Sequence, residues 1–343
     1  MKTLKTFART VLLCSAALAA AMSCSRNSGF QELTGYAQGG EYSVKFSQAG
    51  LTVGVDKVRE AVDSILTLID TTLSGYNKGS QLSRFNAGGE VDLNGMFREI
   101  FTVSKKLYDE TEGALDMASG PLFDAWGFGF THDSLPTDTA VDSIRARCGM
   151  DKYDWDIKPL VAGIRPNLNF NAIAQGYSCD KIAEYLHSVG VRDMLVNIGE
   201  IYCEGLNPSG KPWSIGVDMP VDGNMELGGK GFAGIWQGDG TGCGVVTSGN
   251  YRKFYIKDGR KYSHTVDPRT GYPVTHSLLS ATIVAPNATL ADAYATYCMV
   301  VGLDEAKKFI NALDEIEGYL VYAEGESMSE WVSSGFNLVR NNL

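Results

Sequence analysis

What this chain lacks narrows its chemistry. None of its seven cysteines forms a C-x-x-C pair, so a thiolate zinc site is not expected. Cys14 and Cys24 lie at the start, and Cys148, Cys179, Cys203, Cys243 and Cys298 are scattered beyond them. An odd remainder excludes a full disulfide framework and predicts that most are small buried apolar residues. Basic residues are short, 30 Lys and Arg against 40 Asp and Glu, and the net charge of −10 excludes nucleic acid as an expected partner. An anionic ligand then needs local help, from a metal or from backbone donors. There is no Walker A motif, because neither Ser nor Thr follows the Gly229-Lys230 pair. "GKGFAG" (229–234) spells G-x-G-x-x-G, yet it runs on into "IWQGDGTGCG". That stretch cannot open a helix, so it reads as loop and strand rather than a dinucleotide fingerprint. No apolar run is long enough to span a bilayer. No repeat or low-complexity tract stands out. What is present is ordinary for a folded protein: 343 residues, 44% hydrophobic and 20% charged, enough for one large core or two fused lobes.

The first residues read as an export signal. Lys2, Lys5 and Arg9 form a basic start, and Val11–Ala21 is a short apolar run. "AAMSC" then leads through small residues to Cys24, with Met22 an imperfection, and resembles the lipobox of bacterial lipoproteins. This predicts removal of residues 1–23, a lipid-modified Cys24, a tether over 24–40 and a folded domain over 41–343. An ordinary secretory signal with an incidental cysteine is the alternative, and export follows from both. The removed segment carries three positive charges, so −10 less 3 leaves the mature chain near −13.

Periodicity outlines the fold. "EYSVKF" alternates as a strand, and apolar residues from Val55 to Leu73 fall on one helix face. "SQLSRFN" (80–86) reads as a loop, and a second helix spans about Met96 to Thr111. A third follows "LNFNAIAQG" and closes at Gly190. "DMLVNIG", "WSIGVDM", "GFAGIWQ", "CGVVTSG" and "LLSATIVAP" read as strands, and "KFYIKDGRKYSHTV" as a hairpin turning at Asp258-Gly259. "ATLADAYATYCMVVG" reads as a buried helix, "DEAKKFINALDEI" as an exposed one, and "GYLVYAEG" and "GFNLVR" as final strands. Helices and hairpins mix without regular βαβ alternation, which predicts an α+β fold.

Two places could carry chemistry. "SHTVDPRTGYPV" (263–274) gathers His264, Asp267, Arg269 and Thr270 around a corner where Pro268 and Gly271 are good turn residues. It is either a well-made turn or a corner that holds polar groups towards a ligand. Asp292 and Thr296 lie four apart on the buried helix and project from one face. They are either a local pair or the oxygen donors of a hard cation such as Mg²⁺, which keeps places for phosphate and water.

The motifs, taken in order, resemble those of the ApbE family of exported flavin transferases. They are "SQLSRFN" (80–86), "TEGALDMASGPLFDAWGFG" (111–129), "NAIAQGYSCD" (171–180), "VNIG" with "EI" (196–201), "TSGNYR" (247–252), "SHTVDPRTGYP" (263–273) and "ADAYAT" (291–296). The resemblance runs from about Tyr36 to the end. It implies a T-fold-like α+β domain of two tightly packed lobes with mainly antiparallel mixed sheets and flanking helices. It also implies an FAD site between the lobes and Mg²⁺-dependent cleavage of FAD. FMN passes to a Thr or Ser of an acceptor flavoprotein subunit of a membrane redox complex, and AMP leaves.

By the same resemblance, His264 is the base, and Tyr76, Ala114, Leu115, Asp116 and Val266 contact FAD. Asp292, Thr296 and the carbonyl of Ala172 match metal ligands. Gln38 stands where many members have methionine, Asn169 where many have aspartate, and Gln175 where they carry a charge. All three are expected at the cofactor, with a lower local charge. His132, His187 and His276 have no motif support. Two other activities share these residues: an FAD pyrophosphatase using water as acceptor, and a non-catalytic FAD-binding lipoprotein.

Overall fold

A computed structural model describes residues 29–129, 135–161, 163–164, 167–221, 231–251, 254–257 and 260–340. The leader with Cys24, His132 and the Asp258-Gly259 turn lie outside the described residues.

Strands β1 (Phe30–Ala37) and β2 (Gly40–Ser47) form a hairpin, followed by helix α1 (Val55–Leu73). Three helices come next: α2 (Gln81–Asn86), α3 (Gly95–Glu110) and α4 (Gly120–Ala125). Then come α5 (Asp138–Arg145), α6 (Ala174–Ser188), β3 (Met194–Asn197) and β4 (Ile201–Glu204). Strands β5 (Ser214–Asp218), β6 (Phe232–Gln237), β7 (Cys243–Gly249), β8 (Phe254–Lys257) and β9 (Arg260–Ser263) continue the chain. After β10 (Val266–Asp267), β11 (Tyr272–Pro273) and β12 (Leu278–Ala285) come α7 (Ala288–Val301) and α8 (Leu303–Ala312). The described chain closes with β13 (Glu317–Glu324), β14 (Ser327–Val332) and β15 (Leu338–Val339).

The main sheet runs β1-β2-β3-β4-β7-β12-β13-β14, with every neighbouring pair antiparallel. Alternation along the strands gives it two apolar faces. One face carries Val44, Phe46, Met194 and Val196 against α1 and α6, and Val246, Ala281 and Ile283 against α7. The other carries Cys203, Cys243, Val245, Tyr319 and Val321 against Trp213, Ile215, Val217 and Trp236 of the small β5-β6-β15 sheet. The main sheet is therefore the middle layer, with helices on one side and a three-stranded sheet on the other.

Three readings change. Phe30–Ala37 is the edge strand of the main sheet, not tether, paired with β2 over its whole length. Residues 81–86 are a helix, because Ser80 Oγ accepts from Ser83 N at 2.9 Å and Leu82 is sealed in the core. The third helix starts at Ala174, earlier than the glycine of "LNFNAIAQG" indicates, and draws Gln175 and Gly176 into its first turn. Phe232–Gln237 is strand, as expected for the described part of the glycine-rich run.

Candidate active site

Helix α7 forms the deep wall of the site. Asn287 caps it, accepting from Leu290 N at 2.8 Å, and it stops at Gly302, whose φ of +81° suits glycine. Asp180, reaching from α6, accepts from Ala288 N and Thr289 N, each at 2.8 Å. A carboxylate at a helix N-terminus meets free N–H groups and a favourable dipole. Two glycines bring α7 close to its neighbours. A Cβ on Gly244 of β7 would lie 2.4 Å from Ala288 Cα, and one on Gly176 of α6 would lie 2.2 Å from Ala288 O.

That closeness lets Gly176 N donate to Asp292 Oδ2 at 3.1 Å. Asp292 is only 5% exposed. Burial, followed by the negative charge of Glu200, pushes its carboxyl well above the usual range, and the Gly176 N–H opposes this only in part. Thr296 lies one turn further on and lines the same cavity. So does Ala172, just before α6. Among the described residues, no three His, Cys, Asp or Glu side chains cluster as a metal cage. Asp292 supplies a carboxylate, Thr296 a hydroxyl and Ala172 a loop carbonyl, and the Glu200 carboxylate lines the same cavity. That set fits a hard, oxygen-seeking cation that keeps other positions for phosphate or water, and a cation there would offset the cost of ionising Asp292.

The cavity has a volume of about 300 Å³. The corner at 263–274 forms its second wall. His264, Thr265, Val266 and Pro268 line it. His264 meets Phe128 edge-on at 6.4 Å between ring centroids. The other polar residues of the corner serve the turn. Asp267 O accepts from Thr270 N and Gly271 N, and its carboxylate takes Arg269 N, Nε and Nη2 at 2.9–3.0 Å. The turn reading therefore holds for Asp267, Thr270 and Gly271, while His264 lines the cavity. Trp126 Nε1 donates to Gly271 O at 2.8 Å and ties the corner to the α4 end.

Residues 114–119 make the third wall. Thr111 Oγ1 accepts from Leu115 N at 3.0 Å as α3 ends, and Asp116 Oδ1 accepts from Ala118 N at 2.9 Å. Burial raises the Asp116 carboxyl to about 7, with the Ala118 N–H opposing. Asn169 lines the cavity and is held by its N–H to Met117 O at 2.7 Å. Gln175 also lines it, and its amide donates to Ile198 O at 2.9 Å, which fixes the turn before β4. Tyr76 stands at the rim, 67% exposed.

The structure thus brings His264, Tyr76, Ala114, Leu115, Asp116, Asn169, Gln175, Val266, Ala172, Asp292 and Thr296 to one cavity. Gln38 is not among its lining residues. With Gly39 it makes the β1–β2 turn, both at positive φ, and its amide donates to Ser178 Oγ on α6. His187 contacts Glu204, and His276 Nε2 donates to Met299 O at 2.8 Å; neither histidine is among the residues lining this cavity. Sequence reasoning gave no role to Phe128, Glu200, Ser248 or Met299, which also line the cavity. The first three lie inside quoted motifs, a signal that was there to use. Met299, one turn beyond Thr296 on α7, carried no such mark.

Known proteins resemble this chain in sequence and in fold. The model of the ApbE family matches residues 39–320. The FAD:protein FMN transferase of Haemophilus influenzae is 32% identical over 296 residues, covering 82% of this chain and 84% of its own. That of Vibrio cholerae is 32% identical over 339 residues, covering 96% and 98%. Among solved structures, the flavin transferase ApbE of Vibrio cholerae superposes with a TM-score of 0.74 at 29% identity, covering 90% of this chain and 98% of that one. The apo flavinyl transferase ApbE of Pseudomonas stutzeri gives 0.75 at 30%, covering 89% and 95%. With a family match over most of its length and its motif residues gathered around one cavity, this chain belongs to the ApbE family.

Proposed function

We propose that this chain is a magnesium-dependent FAD:protein FMN transferase. It moves FMN from FAD to a Thr or Ser hydroxyl of an acceptor flavoprotein, as a phosphoester, and releases AMP. The observation that carries this reading is the convergence of widely separated motif segments on one cavity whose deep wall holds buried Asp292. The Haemophilus influenzae and Vibrio cholerae relatives, both named FAD:protein FMN transferase, each cover four-fifths or more of this chain.

The roles follow from the chemistry. Asp292, Thr296 and the Ala172 carbonyl would hold the cation, which when bound neutralises charge on the pyrophosphate and on departing AMP. His264 accepts the acceptor hydroxyl proton as that oxygen bonds to the FMN phosphorus and the bond to AMP breaks. Histidine suits this step because its ordinary charge change lies near neutrality. Tyr76 offers a flat face to the isoalloxazine at the rim. Asn169 and Gln175 bind the nucleotide without adding negative charge in an acidic protein. The acceptors are flavin-carrying subunits of membrane redox complexes. The enzyme itself is an exported lipoprotein, anchored at Cys24 and facing the periplasm.

The test is mass spectrometry of a co-expressed acceptor, which should gain the mass of one FMN on a Thr or Ser. Asp292→Ala should stay folded and lose this modification together with Mg²⁺-dependent FAD cleavage. FMN and AMP released at the same rate with and without acceptor, and no modified acceptor, would make the enzyme a pyrophosphatase instead. FAD left intact by the wild type would make it a carrier.

A further inference from the structure

Cys203 and Cys243 lie directly opposite each other on the antiparallel strands β4 and β7. Opposed residues on adjacent strands point to the same face, and both join the apolar cluster beneath the small sheet. Opposed Cα atoms in an antiparallel pair lie about 4.5 or 5.5 Å apart, depending on the ladder position. Either spacing falls within the roughly 4.4–6.8 Å that a disulfide accepts. The Cys243 thiol is the first cause that raises the pKa of Cys203, as befits two sulfurs on one face of paired strands. Cys148, Cys179 and Cys298 belong to other clusters.

Their place in the chain is also particular. Between Cys203 and Cys243 the chain leaves the main sheet, builds β5 and β6 on its outer face, and returns. The two cysteines stand at the neck of that excursion. Gly205 N donates to Gly240 O at 2.9 Å just outside them. The strands they join also carry cavity residues: Glu200 just precedes β4, and Thr247, Ser248 and Gly249 end β7.

We propose that Cys203 and Cys243 form a cross-strand disulfide that locks the neck of the β5–β6 excursion. Two S–H bonds break and one S–S bond forms. The two electrons and two protons pass to an oxidant of the disulfide class, such as oxidised glutathione or a protein dithiol–disulfide oxidoreductase, which becomes the dithiol. The bond forms during folding, before the small sheet closes, because Cys203 is 2% and Cys243 9% exposed afterwards. In the folded, reduced protein the thiol of Cys203 is a poor nucleophile, since its neighbouring thiol and its burial both raise its pKa. Exchange with small disulfides is then slow until the chain opens. The inference stands apart from the flavin chemistry.

The experiment unfolds the full chain in denaturant with reductant and refolds it in a mixture of reduced and oxidised glutathione. The product is denatured again, alkylated without reduction, digested and mapped by mass. The Cys203 and Cys243 peptides should appear joined, two hydrogens lighter than their sum, with Cys148, Cys179 and Cys298 alkylated. Recovery of both Cys203 and Cys243 as alkylated thiols overturns the proposal. Closing a loop of about 40 residues should also raise Tm by roughly 5–15 °C over the reduced form. The double variant Cys203→Ala, Cys243→Ala should show no such dependence on reductant during refolding. If that variant does not fold, the mass map of the wild type decides alone.

Discussion

Replacing Gly176 with alanine sets two effects of opposite sign against each other. Within a helix, alanine is favoured over glycine by about 0.8–1.0 kcal/mol, so propensity alone makes Gly176→Ala stabilising. The surroundings oppose it. The new Cβ would lie 2.2 Å from Ala288 O, a backbone atom that cannot swing aside, and 2.9 Å from Asp292 Cβ. Overpacking of this kind costs roughly 1–3 kcal/mol. If α6 and α7 part to relieve it instead, the Gly176 N–H loses the Asp292 carboxyl, and a buried donor left without a partner costs roughly 1–3 kcal/mol. Sterics win by either route, with a net loss of up to about 2 kcal/mol. For a domain of this size, where about 1 kcal/mol moves Tm by about 2 °C, that lowers Tm by up to about 4 °C. The displaced Asp292 should also raise the Mg²⁺ concentration needed for half-maximal FAD cleavage. Gly95→Ala, at the first position of α3 with no atom within 4 Å of the new Cβ, is the control and should be neutral or slightly stabilising. Thermal unfolding and Mg²⁺ titration of the three proteins settle the matter. A Gly176→Ala protein as stable as wild type, with unchanged Mg²⁺ dependence, would refute the argument that this close approach positions Asp292.

Three further outcomes are expected. His264→Ala should lower FMN transfer by about two to four orders of magnitude with FAD affinity little changed, measured by single-turnover transfer and FAD titration; a parallel loss of binding would assign it a structural role. Tyr76→Ala should weaken FAD binding roughly tenfold, since aromatic stacking adds about 0.5–1.5 kcal/mol to the area lost, whereas Tyr76→Phe should retain most of it; fluorescence quenching by FAD reads both, and an unchanged Ala variant would take the ring away from the flavin. Burial lowers the pKa of His276, which donates to Met299 O in its neutral form. The native state therefore binds fewer protons than the unfolded one, so this contribution is present above the ordinary histidine value and is lost as pH falls below it. Wild type should lose stability to urea as pH falls below about 6.5, and His276→Gln should lose less; equal slopes would contradict the assignment.

The sequence carried the fold where the pattern is local and failed where it is not. Helix α1 matches its reading at both ends because its apolar stripe repeats over five turns. Strand β1 escaped because it is an edge strand with only Leu33 fully buried, and pairing with β2 holds it rather than its own hydrophobicity. Helix α2 is too short for periodicity to show, and its Ser80 cap looked like loop polarity. At the site, the four-residue spacing of Asp292 and Thr296 was legible because one helix carries both. The approach of Gly176 to Ala288 was not, since 112 residues separate them and only the packed helices reveal it. The corner was half legible: turn chemistry was plain, but which polar groups face inward depends on the strand pairing around it.

The enclosure of α7 also divides the cleft mechanically. Its backbone amides lie between the main sheet, α6 and α8, with Ala291, Asp292, Ala293, Ala295, Cys298 and Met299 all buried. Hydrogen exchange along such a helix proceeds through global opening, not local fraying. The wall holding Asp292 and Thr296 is thus a fixed reference surface. On the opposite side residues 114–119, Thr265 and Val266 are buried as well, whereas Tyr76 at the rim stands in solvent. An incoming ligand therefore meets a fixed floor first, and of the side chains named at the cavity it is Tyr76, at the rim, that has room to turn towards it.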